Sequence, residues 1–394
     1  MVSPIVSVFG ADVFQQLVAV GAAFGPAGAF ISPLSIYIAL ALALNGATPN
    51  TTTYSQLWTP LAKSITPAPF VTLPQLNSYT RVLTRTLIRE ARAADGTEMM
   101  ISNVIFTNRT PVEAEYAAVA LGSFNAPVLN ATSATPINNW VKKKTNNLIA
   151  EAVPSTLKFK LLVVNSIYFF GSWVIPFNKT YTRSEPFTTP EGSKIQVHMM
   201  HSKFTGMVFE GLRLPQIRID DTDAASGGYR AVKLTYRDSN FSAIALLCDE
   251  KKHKLVASAC LNSLDIEDVL SGAGWRDISH FDSINLPRFE VEVKQLSVTK
   301  ALQAMGVKEP FSDAAKFRKL SSTPLKIDDI YHSSVVKVDE EGTEAAAVTV
   351  VVFGPTAALG ETLEFNRPFV FLVYDEEQAA VMFMGVVNRP TEAK

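Results

Sequence analysis

The sequence predicts an α+β chain in which helices and long buried strands share one core. Three observations carry that expectation. Apolar residues recur at helical spacing from Val6 to Val20, and again through the Ala/Leu-rich stretch after Pro33. Leu161 to Phe170 is a nearly continuous apolar run, as in a strand buried on both faces. Near the C-terminal end, Val338-Asp339-Glu340-Glu341-Gly342 leads into Thr343-Glu344-Ala345-Ala346-Ala347, then Val348 to Phe353 and Gly354-Pro355. Glycine lets the chain turn there. Beyond it Thr343, Ala345, Ala347, Thr349, Val351 and Phe353 form one uncharged strand face, and Glu344, Ala346, Val348, Val350 and Val352 the other. Such a segment can slide into the middle of a sheet. Gly354-Pro355 must stop it, because proline cannot donate to a ladder. The ordinary alternative is an Ala-rich hairpin strand of a β-sandwich.

The elements follow in order. Gly25-Pro26 ends the first helix. Ser32 can cap the second, Pro33 suits its first position, and Asn45-Gly46-Ala47 ends it. Residues 50–75 are Thr/Pro-rich and read as loop with short helical turns. Tyr79 to Arg92 reads as a helix, Glu98 to Phe106 as a strand, Val112 to Phe124 as a helix, and Ile137 to Ile149 as another helix. Residues 212–228 form a polar insertion with no assigned role, and Leu296 to Met305 reads as helical. No repeat or linker interrupts residues 1–394, so one domain is expected.

Composition narrows the function classes. With 47% hydrophobic and 19% charged residues, the chain is no candidate for disorder. A formal net charge of −1 gives no global field for nucleic acid or membrane, and no apolar run is long enough to span a bilayer. Two cysteines, Cys248 and Cys260, are too few for a disulfide framework and read as inert thiols. Met1-Val2-Ser3-Pro4-Ile5 lacks the basic region of a signal peptide, and sequons at Asn50, Asn108, Asn130, Asn178 and Asn240 do not establish secretion. A cytoplasmic monomer is expected, with an extracellular location as the alternative.

No Gly-x-Ser-x-Gly elbow, phosphate-binding glycine loop or His-Glu-x-x-His is present, so an enzyme is not expected, nor is a cofactor. His198-Met199-Met200-His201 has no acidic or cysteine partners at ligand spacing; it reads as a strand end, and no metal is expected. Arg81, Arg85 and Arg89 form a helical stripe beside Glu90, either a polyanion site or an ordinary solvated face.

Several motifs together are specific. Asn165, Phe169, Gly171, Trp173, Pro176 and Phe177 stand in the pattern Asn-x-x-x-Phe-x-Gly-x-Trp-x-x-Pro-Phe. Phe30 to Ile36, Ile137-Asn138-Asn139-Trp140-Val141, Leu286 to Phe289, Phe365 to Phe371 and Phe383 to Pro390 follow in one characteristic order around Glu340-Glu341-Gly342-Thr343. Over nearly its whole length the chain resembles the serpins, a family of protease inhibitors. The family usually has Asn where Gly28 stands, four residues before Ser32.

The resemblance implies a large central sheet with surrounding helices, smaller sheets and an exposed reactive-centre loop over about residues 340–362. It implies a hinge at Glu340, Glu341, Gly342, Thr343, Glu344, Ala345, Ala346 and Ala347. Trp173 and Arg288, which pairs with Glu340, would mark the point where the loop enters the sheet. Ser32, Ser35, Asn165 and His332 would form a buried polar cluster where the central strands part. The implied mechanism is suicide inhibition: a serine protease cleaves the loop, and the cut loop inserts into the sheet before the acyl-enzyme hydrolyses. The family's spacing from Glu340 places the reactive bond at Thr356-Ala357; counting back from Phe365 gives Ala357-Ala358. Small residues there, and no Arg or Lys between Val338 and Phe365, point to an elastase-like partner. Inhibition of papain-like cysteine proteases, and a non-inhibitory storage, carrier or chaperone role, are the alternatives.

Overall fold

The structure, a computed structural model, describes residues 5–22, 24–62, 72–94, 96–203, 215–220, 228–271, 273–277, 281–342 and 361–391. The expected inner hinge (Thr343, Glu344, Ala345, Ala346, Ala347) and the reactive-bond candidates Thr356, Ala357 and Ala358 lie outside the described residues.

The chain opens with α1 (Ile5–Ala19), β1 (Gly28–Ile31), α2 (Pro33–Gly46), α3 (Thr52–Ala62) and α4 (Leu73–Ala93). It continues through β2 (Thr97–Thr107), α5 (Ala114–Phe124), β3 (Val128–Asn130), α6 (Ala134–Lys144) and β4 (Leu161–Gly171). Next come β5 (Arg183–Thr188), β6 (Lys194–Lys203), β7 (Gln216–Asp220), β8 (Tyr229–Thr235) and β9 (Phe241–Cys248). Short helices α7 (Glu250–His253), α8 (Ala257–Ser263) and α9 (Ile266–Leu270) lead to β10 (Arg276–Asp277), β11 (Phe281–Pro287) and β12 (Phe289–Ser297). The last elements are α10 (Thr299–Ala304), β13 (Asp329–Val338), β14 (Glu361–Glu364), β15 (Phe369–Asp375) and β16 (Ala380–Val387).

Among the described residues these strands form three sheets. The central one has the order β12-β13-β4-β2-β3, in which β4 and β13 pair directly from Asp329–Leu162 to Val335–Tyr168. The second, β1-β16-β15-β9-β8-β7-β10, is the largest, and the third is β14-β11-β6-β5.

The apolar run of β4 has a physical reason. Leu161, Val163 and Ile167 belong to the main core with α2, while Leu162 and Val164 join a second core beneath Ile137 and Val141 of α6. A strand covered on both faces gains nothing from alternation. Helix α2 is buried on nearly every side, as its uniformly apolar composition requires. The Ser32 side chain caps it by accepting from Ser35 N at 3.3 Å, with Pro33 in the first turn. The glycine at position 28 has a local reason too: a Cβ there would lie 2.0 Å from the Val386 carbonyl oxygen across the β1–β16 pair.

The structure departs from the sequence reading in five places. Helix α3 replaces part of the loop expected over residues 50–75, and Pro60 sits inside it. Helix α6 ends at Lys144 rather than Ile149, where Val141 O accepts from both the Thr145 N–H and the Thr145 hydroxyl. Leu296 belongs to strand β12, and the following helix starts at Thr299. Gln216–Asp220, inside the unassigned insertion, is a strand hydrogen-bonded to β8. Finally, Cys248 and Cys260 form a disulfide, with Cα atoms 6.1 Å apart, so they are not free thiols. Twelve residues of separation gave no sign that the end of β9 and helix α8 fold back on each other.

Candidate functional site

Strand β13 runs straight into Asp339, Glu340 and Glu341. After Val338 the chain turns: Gly342 N donates to Asp339 O at 3.3 Å, and the two residues form an antiparallel bridge. Gly342 has φ +95°, and a Cβ there would meet Gly171 O at 2.1 Å and Trp173 N at 2.7 Å. Only glycine fits this reversal, on both counts.

The turn is fastened from both flanks. On the β12 flank, Arg288 lies 2.7 Å (Nε to Oε2) and 2.6 Å (Nη2 to Oε1) from the Glu340 carboxylate. On the β4 flank, the Thr182 hydroxyl also donates to that carboxylate, while Phe177 N reaches Glu340 O at 2.8 Å. Trp173 N donates to Glu341 O at 3.0 Å, and its indole Nε1 to Asp339 O at 3.0 Å. Glu340 is only 1% exposed. Burial would raise its pKa, but the hydrogen bonds from Arg288 and Thr182 outweigh that, and the carboxyl lies below its ordinary value. Lys179 binds Glu341 Oε1 at 2.5 Å, and a cavity of about 200 Å³ opens between Lys179, Arg288 and Lys337. The expected pairing of Arg288 with Glu340 beside Trp173 is therefore present. Tyr236 stacks on Trp173 at 4.4 Å between ring centroids, a contact that nothing in the sequence signalled.

Lower in the same seam lies the polar cluster. Ser32 N donates to His332 Nε2 at 3.0 Å, so the imidazole accepts there and its proton sits on Nδ1, 3.4 Å from Asn165 Oδ1. The Ser35 hydroxyl donates to Asn165 Oδ1, and Asn165 Nδ2 donates to Asn103 Oδ1. Burial pushes the His332 pKa down to about 3, so the ring is neutral. Ser32, Ser35, Asn165 and His332 thus meet as one network, joined by Asn103 of β2, which the sequence reading omitted. The register explains the meeting: Asn103, Asn165 and His332 stand side by side across β2, β4 and β13. Ser166 Oγ and Ser334 Oγ, buried in β4 and β13, have no hydrogen-bond partner among the described residues.

Other candidates scatter. Arg81, Arg85 and Arg89 are all exposed on α4, and Arg85 reaches Gly122 O at 3.4 Å. His201 lies 3.2 Å from Glu185, three residues along β6 from His198. Among the described residues no group of three or more acidic, histidine or cysteine side chains is placed to hold a metal.

Comparison with known proteins agrees with this geometry. The family model described as serpin (serine protease inhibitor) matches residues 5–390. Iripin-3 of Ixodes ricinus is 30% identical over 373 residues, which cover 91% of this chain and 88% of that protein. The native stressed structure of Arabidopsis AtSerpin1 superposes with TM-score 0.80 at 20% identity, covering 98% of this chain and 97% of the other. Human thyroxine-binding globulin complexed with its hormone superposes at 0.79 and 20% identity over 98% of each. With a family match over residues 5–390, strands β4 and β13 paired directly and a glycine turn at the head of their seam, the chain belongs to the serpin family.

Proposed function

We propose that this serpin is a suicide-substrate inhibitor of elastase-like serine proteases. Serpins are in general inhibitors of proteases rather than enzymes. The observation that carries the finer reading is the head of the seam. Strands β4 and β13 pair directly with nothing between them, and the chain leaving β13 reverses at Gly342 toward that seam. The next residues, Thr343 and Ala345 to Ala347, are small enough to enter a sheet interior. In this mechanism Thr343 to Phe353 add as a strand spanning about 37 Å. The reactive bond is assigned to Thr356-Ala357, with Ala357-Ala358 as the neighbouring register, and the absence of basic residues from Val338 to Phe365 argues against trypsin-like targets. The Cys248–Cys260 disulfide favours an oxidising compartment over the cytoplasmic location expected from the N-terminus.

The test is incubation with pancreatic elastase, chymotrypsin, trypsin and papain, scored for SDS-stable complexes and followed by mapping of the cut. Trapping of elastase with cleavage between Gly354 and Leu359 is expected. A trapped papain cleaving after Gly354 would support the cysteine-protease alternative, and no complex with any enzyme would overturn inhibition altogether.

A further inference from the structure

Strand β13 is preceded and opened by two adjacent aspartates that bind opposite neighbours. Asp329 Oδ1 accepts from Ser297 Oγ at 2.7 Å and Thr299 Oγ1 at 2.6 Å, fastening β13 to the junction of β12 and α10. Asp328 reaches the other way. Its Oδ2 accepts the backbone N–H of Lys160 at 2.5 Å and of Leu161 at 3.0 Å, and its own N–H donates to Leu161 O at 3.0 Å. These bonds close the foot of the β4–β13 seam, immediately beyond the Asp329–Leu162 pair. Below them a cavity of about 560 Å³ opens among Lys158, Phe159, Asp313, Pro324 and Lys326.

We propose that Asp328 is a latch at the foot of the seam, a positioning residue that must release Lys160 and Leu161 before an inserted loop can seat fully. The proposal rests on the insertion mechanism above. A strand descending from Gly342 alongside β13 reaches the level of Asp329 near Phe353, the last residue before Gly354-Pro355. Leu161 turns its backbone to the seam, its carbonyl accepting from Asp328 N, so the Asp328 carboxylate occupies the acceptor position that an incoming carbonyl would take at the Leu161 N–H. A carboxylate accepts more strongly than a carbonyl. The final step of insertion therefore exchanges strong bonds for ordinary ones, and it must still outrun deacylation. Asp329 holds a pair of elements, β12 and β13, that stay together whether or not the seam opens.

The experiment anneals a synthetic peptide with the sequence of Thr343–Phe353 to the intact native protein and follows uptake by native gel and tryptophan fluorescence. Asp328→Ala should take up the peptide about tenfold faster than the parent, the effect of removing roughly one charge-assisted bond at the barrier. Asp328→Asn, which keeps the shape and one acceptor oxygen, should fall between them. Asp329→Ala should lower the melting temperature without a comparable acceleration. Equal rates for Asp328→Ala, Asp328→Asn and the parent would overturn the latch alone, as would equal acceleration by Asp329→Ala. A parent protein that takes up no peptide would overturn the insertion mechanism, and the latch with it.

Discussion

Glu340 is gripped from both sides of the central seam: by the Arg288 guanidinium at 2.6 and 2.7 Å, and by Thr182 and the backbone N–H of Phe177 opposite. Arg288, just before β12, and Thr182, just before β5, are thereby held together through one buried carboxylate. Glu340→Lys should break the grip and set two cations together. Removing one partner of a buried pair costs roughly 3–5 kcal/mol, with the low end expected because Arg288 keeps some access to water. The freed edges invite strand addition between molecules. The variant should form ladders on a non-denaturing gel after mild heating; a monomer under those conditions would count against the role given to this pair.

The His332 ring is held neutral by burial and accepts from Ser32 N. Its pKa lies below the unfolded value, so its contribution is fully present above the ordinary 6.5 and is lost as pH falls toward about 3. Stability by denaturant titration should drop between pH 6.5 and 4 by up to roughly 3 kcal/mol more than in His332→Gln, since each proton taken up costs about 1.4 kcal/mol per pH unit. Parallel pH profiles for the two proteins would show that the cluster does not titrate this way.

If the chain inserts beyond Gly342, Thr343 is the first side chain to enter the sheet interior, and Glu344 faces the other way. An unpaired charge at the first position costs several kcal/mol at the start of insertion, with about 1.4 kcal/mol equal to tenfold in rate. Thr343→Arg should turn an inhibitor into a substrate, and Glu344→Arg should be far milder. The stoichiometry of inhibition against one elastase-like protease measures both, and equal effects would refute the assumed alternation.

The Cys248–Cys260 bridge closes a twelve-residue separation between β9 and α8. Thiol titration of the unreduced, unfolded protein should find no free cysteine. Reduction and alkylation should lower stability by up to roughly 3 kcal/mol, the chain-entropy value for a loop of this size. An unchanged melting temperature would mean that α8 is held by packing alone.

What could be read in advance divides by the range of the information needed. Ser32 and Pro33 announce the start of α2, and the apolar run of β4 announces burial on both faces, because caps and periodicity are local. Arg288 and Glu340 were found through a motif order that carries tertiary information. Asn103, Tyr236 and Asp328 were missed for one reason: their partners are set by strand register and by the packing of distant segments, which no local pattern encodes. The polar pair Ser102-Asn103 inside the otherwise apolar stretch Met99 to Phe106 is the one hint available. The disulfide escaped likewise, since two cysteines give no distance.

Strands β4 and β13 run parallel, whereas each pairs antiparallel with its other neighbour in the central sheet, β2 and β12. A chain that reverses at Gly342 and re-enters between them would run opposite to both. One parallel ladder, with its slanted hydrogen bonds, would give way to two antiparallel ladders, the slightly more stable arrangement per residue. In the proposed insertion, part of the driving force would thus be a matter of chain polarity, present in the backbone whatever side chains the loop carries, and a sheet in which β4 and β13 ran antiparallel would have less to gain.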